Sequence, residues 1–434
     1  MRYIIIFSIF CLSAVHAQEP YTLEKYVAEM LEHDFGIHIL KNNIQIAKNN
    51  NNPGNAGYLP TINITANQNF SSTNTRQEYF SGDIKQANGA INTSTNAGIA
   101  LNWTFFDGFR MFATDKKLDI LEELSTLNLT AEMEMKIYQA SVLFYTLSQQ
   151  EKLNDVYKQG LELSKARYDL MLLKKNNGAA SEIQLIQSRL DLSADSSVYL
   201  TSIKTLENLK ADLNMFLAKD PASPISIQGE IVSNDELSWE TTYESAKAQS
   251  TSLLVSKSTI ALREKEKKEA QSYFYPQLSL FGQYNFGKSK SQIGFMLSSS
   301  SLGPGVGIGL TWNILDRLTK YTNLKNNKIQ LENAEIAQEQ QELTIQTELR
   351  KSFNEYEWAK RNLQMEQRNM NETSLNFQIA ENAFKAGSIT NLELREIQFS
   401  IIEANSRFIL AQLMCKTAEL NLSLITGDFK TLFK

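Results

Sequence analysis

Gly178-Ala-Ala-Ser-Glu-Ile-Gln-Leu185 returns 209 residues later as Gly387-Ser-Ile-Thr-Asn-Leu-Glu-Leu394. In both copies the glycine, which readily takes the left-handed conformation that ends a helix, follows a long proline-free stretch: Arg110 to Asn176 in the first and Asp316 to Ala386 in the second. Proline is expelled from helix interiors. Both stretches also carry apolar residues at steps of three, four and seven, the period of one helix face. Leu118, Leu121, Leu124, Met133, Ile137, Leu143, Leu147, Leu153, Val156 and Leu163 form the first series. Ile329, Ile336, Leu343, Phe353, Tyr356, Leu363, Met370, Phe377 and Phe384 form the second. At about 1.5 Å per residue each helix is a rod of about 100 Å, too long for a globular domain. Each rod is therefore one arm of a coiled-coil-like hairpin, with return helices expected over Ser181 to Leu217 and Thr390 to Ile425. The run Arg263-Glu-Lys-Glu-Lys-Lys-Glu269 reads as a solvated helix face.

Outward from the hairpins the duplication continues. The same offset lays Ala97-Gly-Ile-Ala-Leu-Asn-Trp103 on Val306-Gly-Ile-Gly-Leu-Thr-Trp312, and an offset of 216 lays Tyr58-Leu59-Pro60 on Phe274-Tyr275-Pro276. The first repeat is expected over residues 18–229, with strands about 58–70 and 94–106, a long helix about 110–176 and a hairpin tip about 177–181. The second is expected over 230–434, with strands about 276–286 and 304–315, a long helix about 316–386 and a tip about 387–390. Between them Ile225-Ser226-Ile227 reads as a short strand. A period near 200 residues is too long for a solenoid.

The four strands alternate cleanly. Ile62, Ile64, Ala66 and Phe70 face one way and Thr61, Asn63, Thr65, Asn67 and Asn69 the other. Val306, Ile308, Leu310 and Trp312 alternate with Gly305, Gly307, Gly309 and Thr311. An apolar face, an uncharged polar face and aromatic residues near strand ends form the outer-membrane barrel pattern. Four strands cannot close a barrel, and open sheet edges are not tolerated in lipid. Eight strands leave an interior filled by side chains, so three protomers and twelve strands are the smallest arrangement with a lumen. Gly305, Gly307 and Gly309 are expected on the lumen side, keeping the passage open.

Composition removes most rivals. Three histidines and two cysteines give no clustered metal ligands and no convergent nucleophile and base, so no enzyme, metal or cofactor is expected. A net charge of -5 argues against nucleic acid as the partner. Arg2, the apolar Tyr3 to Val15 and the small-residue pattern Val15-His16-Ala17 read as an export signal over 1–17. Cys415, inside an apolar pattern, reads as a buried structural thiol.

The duplicated order, Tyr58-Leu59-Pro60 and Tyr275-Pro276 at the starts of strands, Leu101-Asn-Trp-Thr-Phe-Phe-Asp-Gly108 at the end of one, and Ala386-Gly387-Ser-Ile-Thr-Asn-Leu-Glu393 together resemble the TolC family of outer-membrane efflux and secretion ducts. The resemblance spans essentially the whole chain after the signal. It implies a mainly α protein with membrane β: a homotrimer whose twelve-stranded outer-membrane barrel, four strands per protomer, continues into a long periplasmic α-helical barrel. It implies a passive, gated channel of a tripartite efflux or type I secretion system in the bacterial outer membrane. Partners would be a periplasmic adaptor (membrane fusion) protein, an inner-membrane pump of RND or ABC type and outer-membrane lipid.

By the same resemblance, acidic side chains that ring the periplasmic gate fall on Glu393 and Glu396, with Gln184, Gln187 and Glu182 in the first half. The hairpin tips that would dock the adaptor hold Gly178, Ala179, Ser181, Gly387, Ser388 and Ile389, while Pro60 and Pro276 open the strands. Ile389 stands where well-known members carry an arginine that ties the closed tip, so packing of Ile389, Leu392 and Ile183 is expected to hold it instead. The alternative reading is an exported structural coiled coil with a small soluble β module and no pore.

Overall fold

The computed structural model describes residues 19–232 and 237–429, so the signal expected over 1–17 lies outside the described residues. In chain order the elements are α1 (Leu23–His33), α2 (Phe35–Asn50), α3 (Pro53–Ala56), β1 (Thr61–Glu78), β2 (Ile84–Phe106), α4 (Arg110–Asn176), α5 (Glu182–Phe216), α6 (Trp239–Gln249), α7 (Thr251–Ser272), β3 (Gln277–Ser291), β4 (Ser298–Thr311), α8 (Thr319–Lys385) and α9 (Asn391–Thr426). The long helices α4 and α8 each run for 67 residues without a break. Two compact units result, and each draws on both halves of the sequence. One takes residues up to 39, 129–251 and 342 onward; the other takes 40–128 and 252–341.

The first unit is helical. Tyr26 and Met30 of α1 are buried with Phe144 and Leu147 of α4, Leu213 of α5 and Leu420 of α9. Each such side chain contributes about 1.5–3 kcal/mol on full burial. The Tyr26 hydroxyl donates to the Leu213 carbonyl at 3.3 Å, and burial pushes its pKa up. The strand-like Ile225-Ser226-Ile227 does pair: Tyr21 N donates to Ser226 O at 2.9 Å and Gln228 N to Tyr21 O at 2.8 Å, a parallel bridge between Tyr21 and Ile227. Cys415 is fully buried in α9.

The second unit holds one antiparallel sheet in the order β1-β2-β3-β4. Its register puts like with like. Ile62, Leu101, Gly282 and Val306 share one row, and Ile64, Ile99, Tyr284 and Pro304 the next. Between these rows run Asn63, Ala100, Gln283 and Gly305 on the opposite face. Among the described residues nothing covers the apolar face, with Ile64 81%, Val306 79% and Ile308 72% exposed. Pro304 is accommodated because β4 is an edge strand.

Two expectations change. The strands run further than the apolar alternation predicts: β1 reaches Glu78, β2 starts at Ile84 and β4 starts at Ser298. Their extensions are rich in Ser, Thr and Asn and carry the charges Arg76, Glu78, Lys85, Lys288 and Lys290; ladder hydrogen bonds continue there without an apolar face to advertise them. Two of the three β4 glycines expected to keep space open, Gly305 and Gly307, are instead covered by side chains of β3, while Gly309 meets only the Phe281 ring edge at 3.9 Å. The Phe281 ring lies directly over Gly307, where any Cβ would overlap it, and Gly305 faces the Gln283 side chain. These glycines seat neighbouring side chains, as glycines in strands commonly do.

Candidate functional site

Both hairpin tips are built from the same two devices. At the first, Gly178 takes φ 70°, its N–H donates to Lys175 O at 2.9 Å, and Ala179 N–H donates to Lys174 O at 2.7 Å. At the second, Gly387 takes φ 77°, donating to Phe384 O at 3.1 Å while Ser388 N–H donates to Ala383 O at 2.8 Å. This pair of bonds is the Schellman helix stop. An added Cβ meets nothing at either glycine, so backbone conformation, not crowding, calls for glycine. The return helices then start with capping boxes, Ser181 with Gln184 in α5 and Thr390 with Glu393 in α9.

The boxes give two of the expected gate residues a local task. Glu393 Oε2 accepts the Thr390 N–H at 2.6 Å, and this backbone bond holds its carboxyl below the usual glutamate range. Gln184 Oε1 accepts the Ser181 N–H at 2.9 Å. Glu182 pairs with Lys175, and Gln187 donates to Asp191 at 3.0 Å. Glu396 is exposed. Gly178, Ala179, Ser181, Gly387 and Ser388 are exposed and Ile389 half-buried. Ile183 is 79% and Leu392 64% exposed, so the apolar packing expected to hold the tips is not made within one chain.

A nearby cluster does hold the helices, and the sequence did not disclose it. Arg395 of α9 forks onto Asp195 of α5, with Nη1 to Oδ2 at 2.7 Å and Nη2 to Oδ1 at 2.9 Å. Arg167 of α4, almost wholly buried, donates to Asp191 of α5 at 2.8 Å, and Ser164 donates to Asp195. The Arg395 pKa is raised, chiefly by its bonds to Asp195. Arg167 is pushed the other way by burial and then by Arg395. Its Nε and Nη1 have no hydrogen-bond partner, so the two aspartates serve Arg395 more fully than Arg167. Two arginines and two aspartates leave the cluster neutral.

At the sheet end of the long helices the halves repeat one junction. Pro60 and Pro276 stand immediately before β1 and β3. The Trp103 indole donates to the Tyr58 carbonyl at 2.8 Å, and the Trp312 indole donates to the Phe274 carbonyl at 3.1 Å. After β2 and β4, on the way into the long helices, two successive residues take positive φ, Gly108 (72°) with Phe109 (69°) and Arg317 (57°) with Leu318 (65°). Asp107 and Asp316 then accept the N–H of Met111 at 3.1 Å and of Lys320 at 2.9 Å. Among the described residues no group of His, Cys, Asp or Glu converges as a metal site.

Residues 242–428 match the family described as outer membrane efflux protein. Among curated proteins, none matches the sequence. Among solved structures, the chain is similar to the Campylobacter jejuni CmeC outer membrane channel, with TM-score 0.80 and 16% identity over 93% of this chain and 85% of that one. It is similar to a Pseudomonas aeruginosa membrane protein at TM-score 0.78 and 17% identity, covering 93% of each chain. It is also similar to the Vibrio cholerae outer membrane protein VceC at 0.75 and 12%, covering 93% of this chain and 96% of that one.

Proposed function

We propose, from the premise that this is an outer-membrane protein with an outer membrane efflux domain and the fold of TolC-family channels, that three copies close a twelve-stranded barrel and form a passive conduit. The observation that carries the reading is the sheet itself. Its apolar face is bare, and strands β1 and β4 each present one unpaired edge. In lipid every backbone polar group needs a partner, which β4 of one copy and β1 of the next would supply. The polar face, Asn63, Gln283 and their neighbours, would then line the passage. We assign the energy of transport to an inner-membrane pump of RND or ABC type reached through a periplasmic adaptor.

The tips are the proposed docking and gating end, and Ala179 and Ser388, exposed beside the two turns, are the positions to crosslink to an adaptor. Glu393 and Glu396, one helical turn apart and exposed, would give stacked carboxylate rings in a trimer. The test is reconstitution of the full chain in planar bilayers. A trimer with stepwise conductance is expected, and its block by divalent cations should weaken in Glu393→Gln with Glu396→Gln. A monomer without current that fractionates with aqueous material would return the structural coiled-coil reading.

A further inference from the structure

Where β2 hands over to α4 and α7 to β3, the second unit carries a concavity of about 600 Å³, within the range of small-molecule sites of about 300–1,000 Å³. One side is aromatic: Phe109, Phe112, Phe274 and Tyr275. The other side holds Lys265 and Lys268 of α7, one turn apart on the same helix face.

The aromatic side continues the bare face of the sheet. Phe106 meets Phe109 at 5.2 Å between ring centroids, Phe109 meets Tyr275 at 6.2 Å and Phe112 at 6.3 Å, and Phe112 meets Tyr58 at 5.7 Å. The Trp103 and Trp312 indoles, tied to the carbonyls of Tyr58 and Phe274, lie at the same end of the strands. Trp and Tyr collect at the level of lipid head groups, so this end of the sheet is the edge of the apolar band.

The lysines differ from the charges around them. Arg263 pairs with Glu266, Lys117 with Glu269, Arg110 with Asp107, and Lys116, also on the rim, with Asp119. Lys265 and Lys268 form no ion pair among the described residues, not even with Glu264 a turn before Lys268. Two uncompensated ammonium groups above an apolar floor complement an anionic head group with acyl chains. A second copy is the wrong occupant, because α4 and α7 continue the inner strands β2 and β3, whereas copies would join at the edges β1 and β4.

We propose that this concavity binds an anionic phospholipid of the periplasm-facing leaflet, its phosphate between Lys265 and Lys268 and its acyl chains against Phe109, Tyr275 and the apolar face of the sheet. The inference rests on the outer-membrane reading, and its test is separate from conductance. Full-length protein in neutral detergent is offered phosphatidylglycerol or phosphatidylethanolamine, and retained lipid is counted by native mass spectrometry. About a fivefold preference for phosphatidylglycerol per lysine is expected, lost in Lys265→Gln with Lys268→Gln and kept in Lys265→Arg with Lys268→Arg. Equal retention of the two lipids, or an unchanged preference in the Gln variant, overturns the site, as does displacement of phosphatidylglycerol by inorganic phosphate alone. Single-channel current of the same samples reports separately on the channel: a conducting protein without lipid preference loses only this site, and a lipid-selective protein without current loses only the conduit.

Discussion

The strand-to-helix junctions and the hairpin tips are both duplicated, yet they have diverged differently. At the junctions different residues keep one geometry, since Gly108 and Arg317 share a left-handed backbone and Asp107 and Asp316 cap the same turn. At the tips the turns and capping boxes also agree, but within about four helical turns of them the halves part. Arg395 reaches from the second hairpin to Asp195 of the first. The first hairpin's own arginine, Arg167, remains within it on Asp191. Duplication preserved what the backbone demands, and the charges that cross between hairpins were free to become specialised.

Removing Arg395 should break this comparison most strongly. Arg395 and Asp195 are each 17% exposed, and deleting one partner of a largely buried pair costs about 3 kcal/mol. Arg395→Met should therefore lower the thermal midpoint of the helical circular dichroism signal in detergent far more than Arg361→Met, whose pair is exposed. The junctions predict opposite signs at equivalent positions. Gly108→Ala places a Cβ against the Ser272 carbonyl and within 2.8 Å of the Tyr275 Cβ, on a backbone that disfavours side chains, for a loss of about 2 kcal/mol. Arg317→Gly relieves the same strain at an exposed site and should gain about 0.5 kcal/mol in the same melt.

Smaller effects test whether the tips are equivalent. Ser181→Ala and Thr390→Ala each remove one N-cap and should cost about 1 kcal/mol alike; unequal losses in urea melts would mean the boxes differ in worth. Least of all is the pH effect of Glu393. Its folded pKa lies below the usual value because the Thr390 N–H favours the ionised carboxyl. Its contribution is therefore complete above the ordinary glutamate pKa and fades as pH falls through the folded value. Glu393→Gln should flatten that acid limb of the stability profile while leaving neutral pH nearly unchanged.

Much of this architecture was legible because it rests on periodic patterns. The apolar stripes mark α4 and α8, and the alternation marks the inner part of each strand, since one side of each must be apolar. The capping boxes were legible as well, as Ser181-x-x-Gln184 and Thr390-x-x-Glu393, but the resemblance drew attention to the carboxylate and amide as gate residues rather than as caps. The Arg167, Asp191, Asp195 and Arg395 cluster had no such sign. Arg395 and Asp195 are 200 residues apart, and on a helix a charge bound for a buried partner looks like one bound for water. The charged run from Arg263 keeps Glu264 and Lys268 exposed, as a solvated face should, but its last residue, Glu269, clamps Thr114 at 2.6 Å and Lys117 at 2.8 Å.

The ring of Phe281 resting on Gly307 carries a consequence for engineering. A side chain added at Gly307 would evict that ring instead of narrowing anything smoothly. In the proposed barrel, Phe281→Ala would widen the passage at this level, and in the chain as it stands the calibre would follow how far that one ring can swing, a diameter governed by a hinge and not by the girth of the wall.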